Sequence, residues 1–461
     1  MNPRSRKFPS NIPLSLTRRR FVQGVTTGTV LAGSGFCSAL FAADRFPQPE
    51  ILRGNRFDLT IGTQAVNFTG RNAIATTVNG SLPAPTLRWR EGERVTLRVT
   101  NQLPVLSSIH WHGIVLPYQM DGVPGISFGG IAPGKTFNYE FDVKQSGTYW
   151  YHSHSGMQEQ TGLYGAIIID PRLPDPFGYD RDYVIMLSDW SDEQPADIYA
   201  RLKKDSHYYN FNERTAENVW REVREKGVSQ TWRERVMWNQ MRMSDRDLSD
   251  VSGATYTFLM NGFTPADGWS GLFKRGERVR LRFINGSAMT FFDVRIPGLQ
   301  MTVVAADGQY IEPVTVEEFR MGVAETYDVI VEPKDDSAYT IFAQAIDRSG
   351  YARGTLTPDI SLQAQVPELD PLPILTHSDM GMSHSNHEAH AAMDHSQHGA
   401  TDHNAHGIIT GGTTRASGKA GYGSTREIRH AATEFGPQVD MRADNPQYRL
   451  NDPGVGLRNN G

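Results

Sequence analysis

The stretch Gly147-Thr148-Tyr149-Trp150-Tyr151-His152-Ser153-His154 opens on a glycine and runs through three aromatic residues into a His-X-His pair. Aromatic residues favour a pleated, half-buried surface, so the run reads as a strand. In a strand, residues i and i+2 face the same side with Cα atoms about 6.6 Å apart. His152 and His154 then stand side by side. A second pair, His110-Trp111-His112-Gly113, follows an apolar strand. Around both pairs, residues 46–172 alternate apolar and polar positions in short runs such as Phe57-Asp58-Leu59-Thr60-Ile61 and Val95-Thr96-Leu97-Arg98-Val99. Turn signals punctuate them at Asn79-Gly80, Glu91-Gly92 and Pro133-Gly134. Many short, evenly punctuated strands indicate an all-β sandwich or barrel.

The chain has 461 residues, too many for one small core, and two or three domains are expected. Its 44 Gly and 26 Pro favour turns and short strands over long helices. The formal net charge is −5. Nothing basic is concentrated in the body of the chain, so nucleic acid is not an expected partner.

Residues 1–43 are different. They hold Arg4, Arg6, Lys7, Arg18, Arg19 and Arg20 and no acidic residue. Thr17-Arg18-Arg19-Arg20-Phe21-Val22-Gln23 precedes a weakly apolar run to Ala43. That order reads as a signal peptide of the twin-arginine type, cleaved near Ala42 or Ala43, and as export of an already folded protein. A membrane anchor is disfavoured because the run is rich in Gly and Thr. No later stretch reads as a transmembrane helix. The only cysteine, Cys37, falls in this segment. The mature chain is therefore expected to have no disulfide and no thiolate ligand.

A second β-domain is expected over 175–366, with strands at Tyr183–Leu187, Thr255–Met260, Arg278–Ile284, Met301–Ala305, Tyr327–Glu332 and Tyr339–Ala345. Within it, the charged stretch from about 197 to 250 has helical composition and reads as an insertion. Residues 367–430 are rich in His, Gly, Ser and Ala and nearly free of large apolar residues, the composition of a mobile, disordered linker. Residues 431–461 read as the opening of a further domain.

Two His-X-His pairs on adjacent strands bring four imidazoles to one place. Imidazole suits zinc, copper, iron or nickel. The linker carries a second set of donors: His377, Met380, Met382, His384, His387, His390, Met393, His395, His398, His403 and His406, with no Lys or Arg among them. Thioether favours cuprous ion and imidazole takes cupric ion, so this tract is expected to gather copper in either oxidation state. Met237, Met241 and Met243 read as packing residues. His207 and His430 read as structural or exposed.

The motifs His110-Trp111-His112-Gly113, Met120-Asp121-Gly122-Val123-Pro124-Gly125 and Tyr149-Trp150-Tyr151-His152-Ser153-His154 together resemble the first-domain copper motifs of multicopper oxidases. Leu281-Arg282-Phe283-Ile284-Asn285-Gly286-Ser287, Ala305-Ala306-Asp307-Gly308 and Ala324-Glu325-Thr326-Tyr327-Asp328-Val329-Ile330-Val331 resemble that family's middle domain. The resemblance implies tandem cupredoxin-like Greek-key β-sandwich domains and copper as cofactor. It implies that His110 ligates the type 2 copper and that His112, His152 and His154 ligate the type 3 pair. Asp121 matches the carboxylate that helps move protons during dioxygen reduction; a plain turn aspartate before Gly122 is the alternative. With the export signal and the His- and Met-bearing linker, the resemblance points to the copper resistance oxidases of the bacterial periplasm.

A complete member of that family also needs a type 1 copper held by two His and a Cys, and four more His for the trinuclear cluster. Its last domain supplies them through His-x-x-His-x-His and His-Cys-His motifs, and neither occurs in these 461 residues. The chain is therefore expected to be truncated, lacking its C-terminal cupredoxin domain, or to pair with a second polypeptide that supplies it. A two-domain nitrite reductase is excluded by the missing thiolate. Three functions stay open: an oxidase of cuprous ion or phenols using dioxygen, a non-enzymatic copper-sequestering protein, and a copper-free structural cupredoxin protein. The four strand histidines weigh against the third.

Overall fold

A computed structural model of the chain describes residues 49–375 and 441–442. The expected signal peptide, nearly all of the His-rich tract and most of the final segment lie outside the described residues. The described residues all belong to one compact unit.

The first half builds nine strands: β1 (Ile51–Arg53), β2 (Arg56–Val66), β3 (Ala73–Val78), β4 (Ala84–Arg90), β5 (Arg94–Asn101), β6 (His110–His112), β7 (Thr136–Asp142), β8 (Gly147–His152) and β9 (Tyr164–Asp170). They form two sheets, in the orders β1-β4-β9-β8-β6 and β3-β2-β5-β7. The period-two pattern explains the sandwich. Phe57, Leu59 and Ile61 of β2 and Val95, Leu97 and Val99 of β5 point inward, while the charged residues between them face solvent. From the opposite sheet come Leu87, Trp89, Trp111, Tyr149, Tyr151, Ile167 and Ile169, closing one apolar cluster. Trp89 and Trp111 meet edge-on at 6.0 Å, and Trp111 meets Tyr139 at 5.1 Å. Such aromatic pairs add about 0.5–1.5 kcal/mol each beyond area burial.

The second half repeats the plan. Its strands are β10 (Arg181–Ser191), β11 (Tyr256–Met260), β12 (Trp269–Leu272), β13 (Val279–Asn285), β14 (Phe292–Arg295), β15 (Met301–Ala306), β16 (Gln309–Val316), β17 (Glu318–Met321), β18 (Thr326–Val331), β19 (Tyr339–Ala345), β20 (Tyr351–Thr357) and β21 (Met441–Arg442). The sheets run β11-β10-β13-β18-β15-β16 and β12-β20-β19-β14-β17-β21. Their inner faces enclose a second, separate cluster that includes Leu281, Phe283, Phe292, Phe319 and Ile341. The fold is all-β and cupredoxin-like in tandem, as expected.

Between β10 and β11 the chain forms α1 (Pro195–Leu202), α2 (Ala216–Lys226) and α3 (Val228–Met241), so the insertion is helical. The Thr215 side chain caps α2 by accepting from the Asn218 N–H. Gly227, at φ +82°, ends α2 and starts α3. Residues 367–375, the opening of the stretch read as a linker, have no strand or helix but are tied to the second sandwich. Asp370 receives hydrogen bonds from Arg295 (2.8 Å) and Gln344 (2.6 Å). The Leu375 N–H donates to the Asp245 carbonyl at 2.7 Å.

The two sandwiches meet along the outer face of β8. Thr148 donates to Asp328 Oδ1 at 2.6 Å and accepts from Arg282 at 2.9 Å. Asp328 also pairs with Arg280, and all four side chains are buried. Arg88 of β4 reaches across to Asp182 at 3.1 Å. Burial pushes the Asp182 carboxyl up, but Arg282 and Arg88 outweigh it and hold the group below its ordinary value. The backbones come close at Gly147 and Gly308; a Cβ on Gly308 would lie within the Tyr149 ring.

Candidate metal centre

Strand alternation divides the work of β6 and β8. Trp111 and Tyr151 turn into the core, so His110, His112, Trp150 and His152 share the other face. The two strands are antiparallel, with His110 opposite His152 and His112 opposite Trp150. One nitrogen from each of His110, His112 and His152 lies within 4.8 Å of the others. His154 follows on the loop after β8 and is exposed. Its ring centroid is 4.6 Å from that of His110 and 5.0 Å from that of His152. The structure thus brings all four strand histidines together.

Their outward nitrogens are held. His110 Nδ1 lies 2.7 Å from the Asp121 carbonyl oxygen and 3.4 Å from the Asp121 carboxylate. His152 Nδ1 lies 2.9 Å from Glu159 Oε2 and 3.3 Å from the Ser153 carbonyl. These partners only accept hydrogen bonds, so both Nδ1 atoms carry the proton and both Nε2 atoms carry the lone pair. The loop that delivers Asp121 depends on Gly122 at φ +81°, where a Cβ would overlap the Ile109 carbonyl.

His112 presents its other nitrogen. Its Nδ1 faces His152 Nε2 at 3.2 Å. Two imidazole nitrogens bound to one ion at ~2.0–2.1 Å and a tetrahedral angle lie about 3.3 Å apart. The gap therefore fits either a shared proton or a shared ion. Trp150 covers the pair: it stacks on His152 with centroids 4.1 Å apart and lies 5.1 Å from His112.

The electrostatics favour the neutral form of His110, His112 and His154. Burial pushes His112 down to about 4, and charge on His152 and His110 would push the same way. Burial also lowers His110, against the opposing pull of its hydrogen bond to Asp121. His154 is lowered by burial and then by His152 and His110. Neutral imidazole is the form that binds metal.

The Asp121 carboxylate lies 3.4 Å from His110 Nδ1. Glu159, Trp150 and Thr148 were not singled out from sequence. Glu159 follows His152 by a loop, and no spacing rule announces it. Of the remaining candidates, His207 Nδ1 lies 3.3 Å from Glu213 and 3.9 Å from Asp247. Met237 and Met241 are half-buried on α3 and Met243 follows it. His377, Met380, Met382, His384, His387, His390, Met393, His395, His398, His403, His406 and His430 lie outside the described residues.

Two family models, both described as multicopper oxidase, match residues 60–174 and 181–359. Copper resistance protein A of Escherichia coli is 54% identical over 467 residues, spanning 97% of this chain and 77% of that protein. A copper resistance protein A homolog of Pseudomonas syringae pv. tomato is 55% identical, spanning 98% and 77%. The crystal structure of the laccase from Botrytis aclada superposes with a TM-score of 0.53 at 28% identity, covering 71% of this chain and 56% of the laccase.

Proposed function

The chain belongs to the multicopper oxidase family, with copper as its cofactor, and on that premise we propose that it is a periplasmic copper resistance protein whose strand histidines hold copper. His110 serves the type 2 position, and His112, His152 and His154 serve the type 3 pair. The observation that carries this reading is the 3.2 Å approach of His112 Nδ1 to His152 Nε2, with His110 and His154 packed against them.

Copper bound there would supply one-electron redox chemistry and a place for dioxygen. The chain's own residues do the rest. Asp121 and Glu159 hold the protons of His110 and His152 away from the centre. The Asp121 carboxylate, 3.4 Å from His110 and partly exposed, is placed to pass protons from solvent. Trp150 keeps water off one side of His152. The twin-arginine leader delivers the folded protein to the periplasm. The His- and Met-rich tract collects copper, and the folded domains cover about 46–172 and 175–366, the second joined by residues 367–375 and Met441–Arg442.

Oxidation of cuprous ion or phenols requires a thiolate-bound type 1 copper, and the one cysteine of these residues is Cys37. Turnover then draws on a His-Cys-His domain from a further segment or a second polypeptide. Copper sequestration without turnover is the second reading, favoured by the two donor sets that need no cysteine. Dioxygen uptake by the copper-loaded chain, with cuprous ion as donor and a blank for uncatalysed oxidation, separates them. Uptake at the blank rate supports sequestration, or turnover that needs a further His-Cys-His domain. Sustained turnover by the pure chain overturns the requirement for a type 1 centre. Copper content equal in wild type and in a variant with all four strand histidines replaced by Ala overturns the assignment of copper to them.

A further inference from the structure

Glu159 is the one acidic side chain in the described residues that touches His152, and it comes from outside both His-X-His motifs. Its loop is clamped on either side. Gln158 accepts from Ser107 at 2.6 Å and from Ser153 at 3.0 Å, and donates to the Leu106 carbonyl at 2.8 Å. Gln160 donates to the Asp189 carbonyl at 3.1 Å and accepts from Tyr256 at 2.7 Å, both in the second sandwich. Glu159 is thus fixed between one glutamine anchored to each sandwich. His152 is buried, and its opposite nitrogen faces His112.

We propose that Glu159 is a positioning residue for the copper centre: its carboxylate locks His152 in the Nδ1-protonated form, aims Nε2 at the metal, and strengthens that nitrogen as a donor to cupric ion. The idea rests on the copper reading above. A carboxylate behind a ligating imidazole makes the ring a better donor, and its loss costs about 10–100-fold in metal affinity. Stronger donation favours the more highly charged oxidation state, so Glu159 biases the site toward cupric over cuprous ion. The Ser153 carbonyl, at 3.3 Å, is the only other acceptor on this Nδ1 among the described residues, and it carries no charge.

The test uses the full chain and three variants, Glu159→Gln, Glu159→Ala and His152→Ala. Nitrogen-15 histidine spectra of the metal-free protein report the tautomer. Wild type and Glu159→Gln should show the His152 proton on Nδ1, because the glutamine oxygen still accepts. Glu159→Ala should show a mixture. Cupric ion is then titrated against a competing chelator, with His152→Ala marking which isotherm belongs to the strand site. Glu159→Gln should bind there about 10-fold more weakly, with the tautomer kept. An Nδ1-protonated ring in Glu159→Ala, or wild-type cupric affinity in Glu159→Gln, overturns the proposal. If His152→Ala loses no isotherm, the assignment of copper to the strand histidines falls instead, while the tautomer result still judges the role of Glu159 on the ring.

Discussion

Trp150 lies nearly parallel to His152, with 15° between the ring planes and 4.1 Å between centroids, although the two residues belong to the same strand. An ordinary strand places i and i+2 side chains side by side; here the indole leans over the imidazole and is itself buried against the second sandwich near Gly286. Trp150→Ala should therefore act twice. Removing a buried Trp costs about 3–5 kcal/mol, read by chemical denaturation, and cupric binding at the strand site should weaken. Trp150→Phe should recover more than half of both. A loss under about 1 kcal/mol in Trp150→Ala would show that the seam repacks without it.

The seam should be sensitive to charge. Asp328 sits between Arg280 and Arg282 with Thr148 as a third partner. Replacing Asp328 by Ala leaves two buried guanidinium groups short of a counter-charge, which costs about 3–5 kcal/mol. Thr148→Val removes a hydrogen bond and should cost about 1–2 kcal/mol. Because the two residues touch, the double variant should be less destabilised than the sum of the singles. Strict additivity in denaturation would mean that Thr148 acts independently of the ion network.

Acid should weaken the metal-free protein in a definite window. His112 titrates near 4 in the folded state and about 6.5 when unfolded. Between those values the unfolded chain binds the extra proton. Stability is thus full above about 6.5 and falls as pH drops toward 4. His110 and His154 shift in the same direction. For His112, partly exposed, the loss is on the order of 2 kcal/mol. Denaturation midpoints at pH 7 and 5 measure it, and His112→Asn should flatten the slope. Equal midpoints would contradict the depressed values.

The same difference predicts two-stage copper release. Imidazoles in the His-rich tract should protonate near their ordinary value of about 6.5, whereas His110, His112 and His154 stay neutral to lower pH. Dialysis at pH 5 should strip the tract and leave strand-site copper in place. Release of both populations together at pH 6 would show that the strand site has no such advantage.

Gly122 tests the loop behind His110. Gly122→Ala puts a methyl into the Ile109 carbonyl at a left-handed backbone position. The Asp121 carbonyl should leave His110, with a stability cost above about 1 kcal/mol and weaker copper binding. A crystal structure of the variant with the 2.7 Å contact intact would refute this.

The sandwiches were legible because β2 and β5 alternate cleanly, with one face wet. The pair His110 and His112 was legible because period two places both side chains on one face, while His154 reaches the cluster from the loop after β8. Strands β12, β14, β16, β17 and β20 were not singled out: β12, β14 and β17 are short, β16 is interrupted by Pro313, and β20 carries Gly354 amid polar residues. Glu159 escaped because its role depends on a loop closing back, clamped by Gln158 and Gln160, and no local pattern encodes that closure. The seam escaped for a related reason. Thr148 and Asp328 are 180 positions apart, and each reads as an unremarkable strand residue until the sheets are docked.

All six residues of β8 are buried. One side serves the first core through Tyr149 and Tyr151; the other serves the docked sandwich through Thr148 and Trp150 and ends on His152. Such a strand has no neutral position. A saturation scan across 147–152 should find an unbroken block of intolerance, where a half-wet strand such as β2 would tolerate every second substitution. Lineages can then remodel this protein's helical insertion or its loops freely, but β8 can change only in concert with residues of the other sandwich. Its sequence should drift more slowly than the overall divergence of the chain.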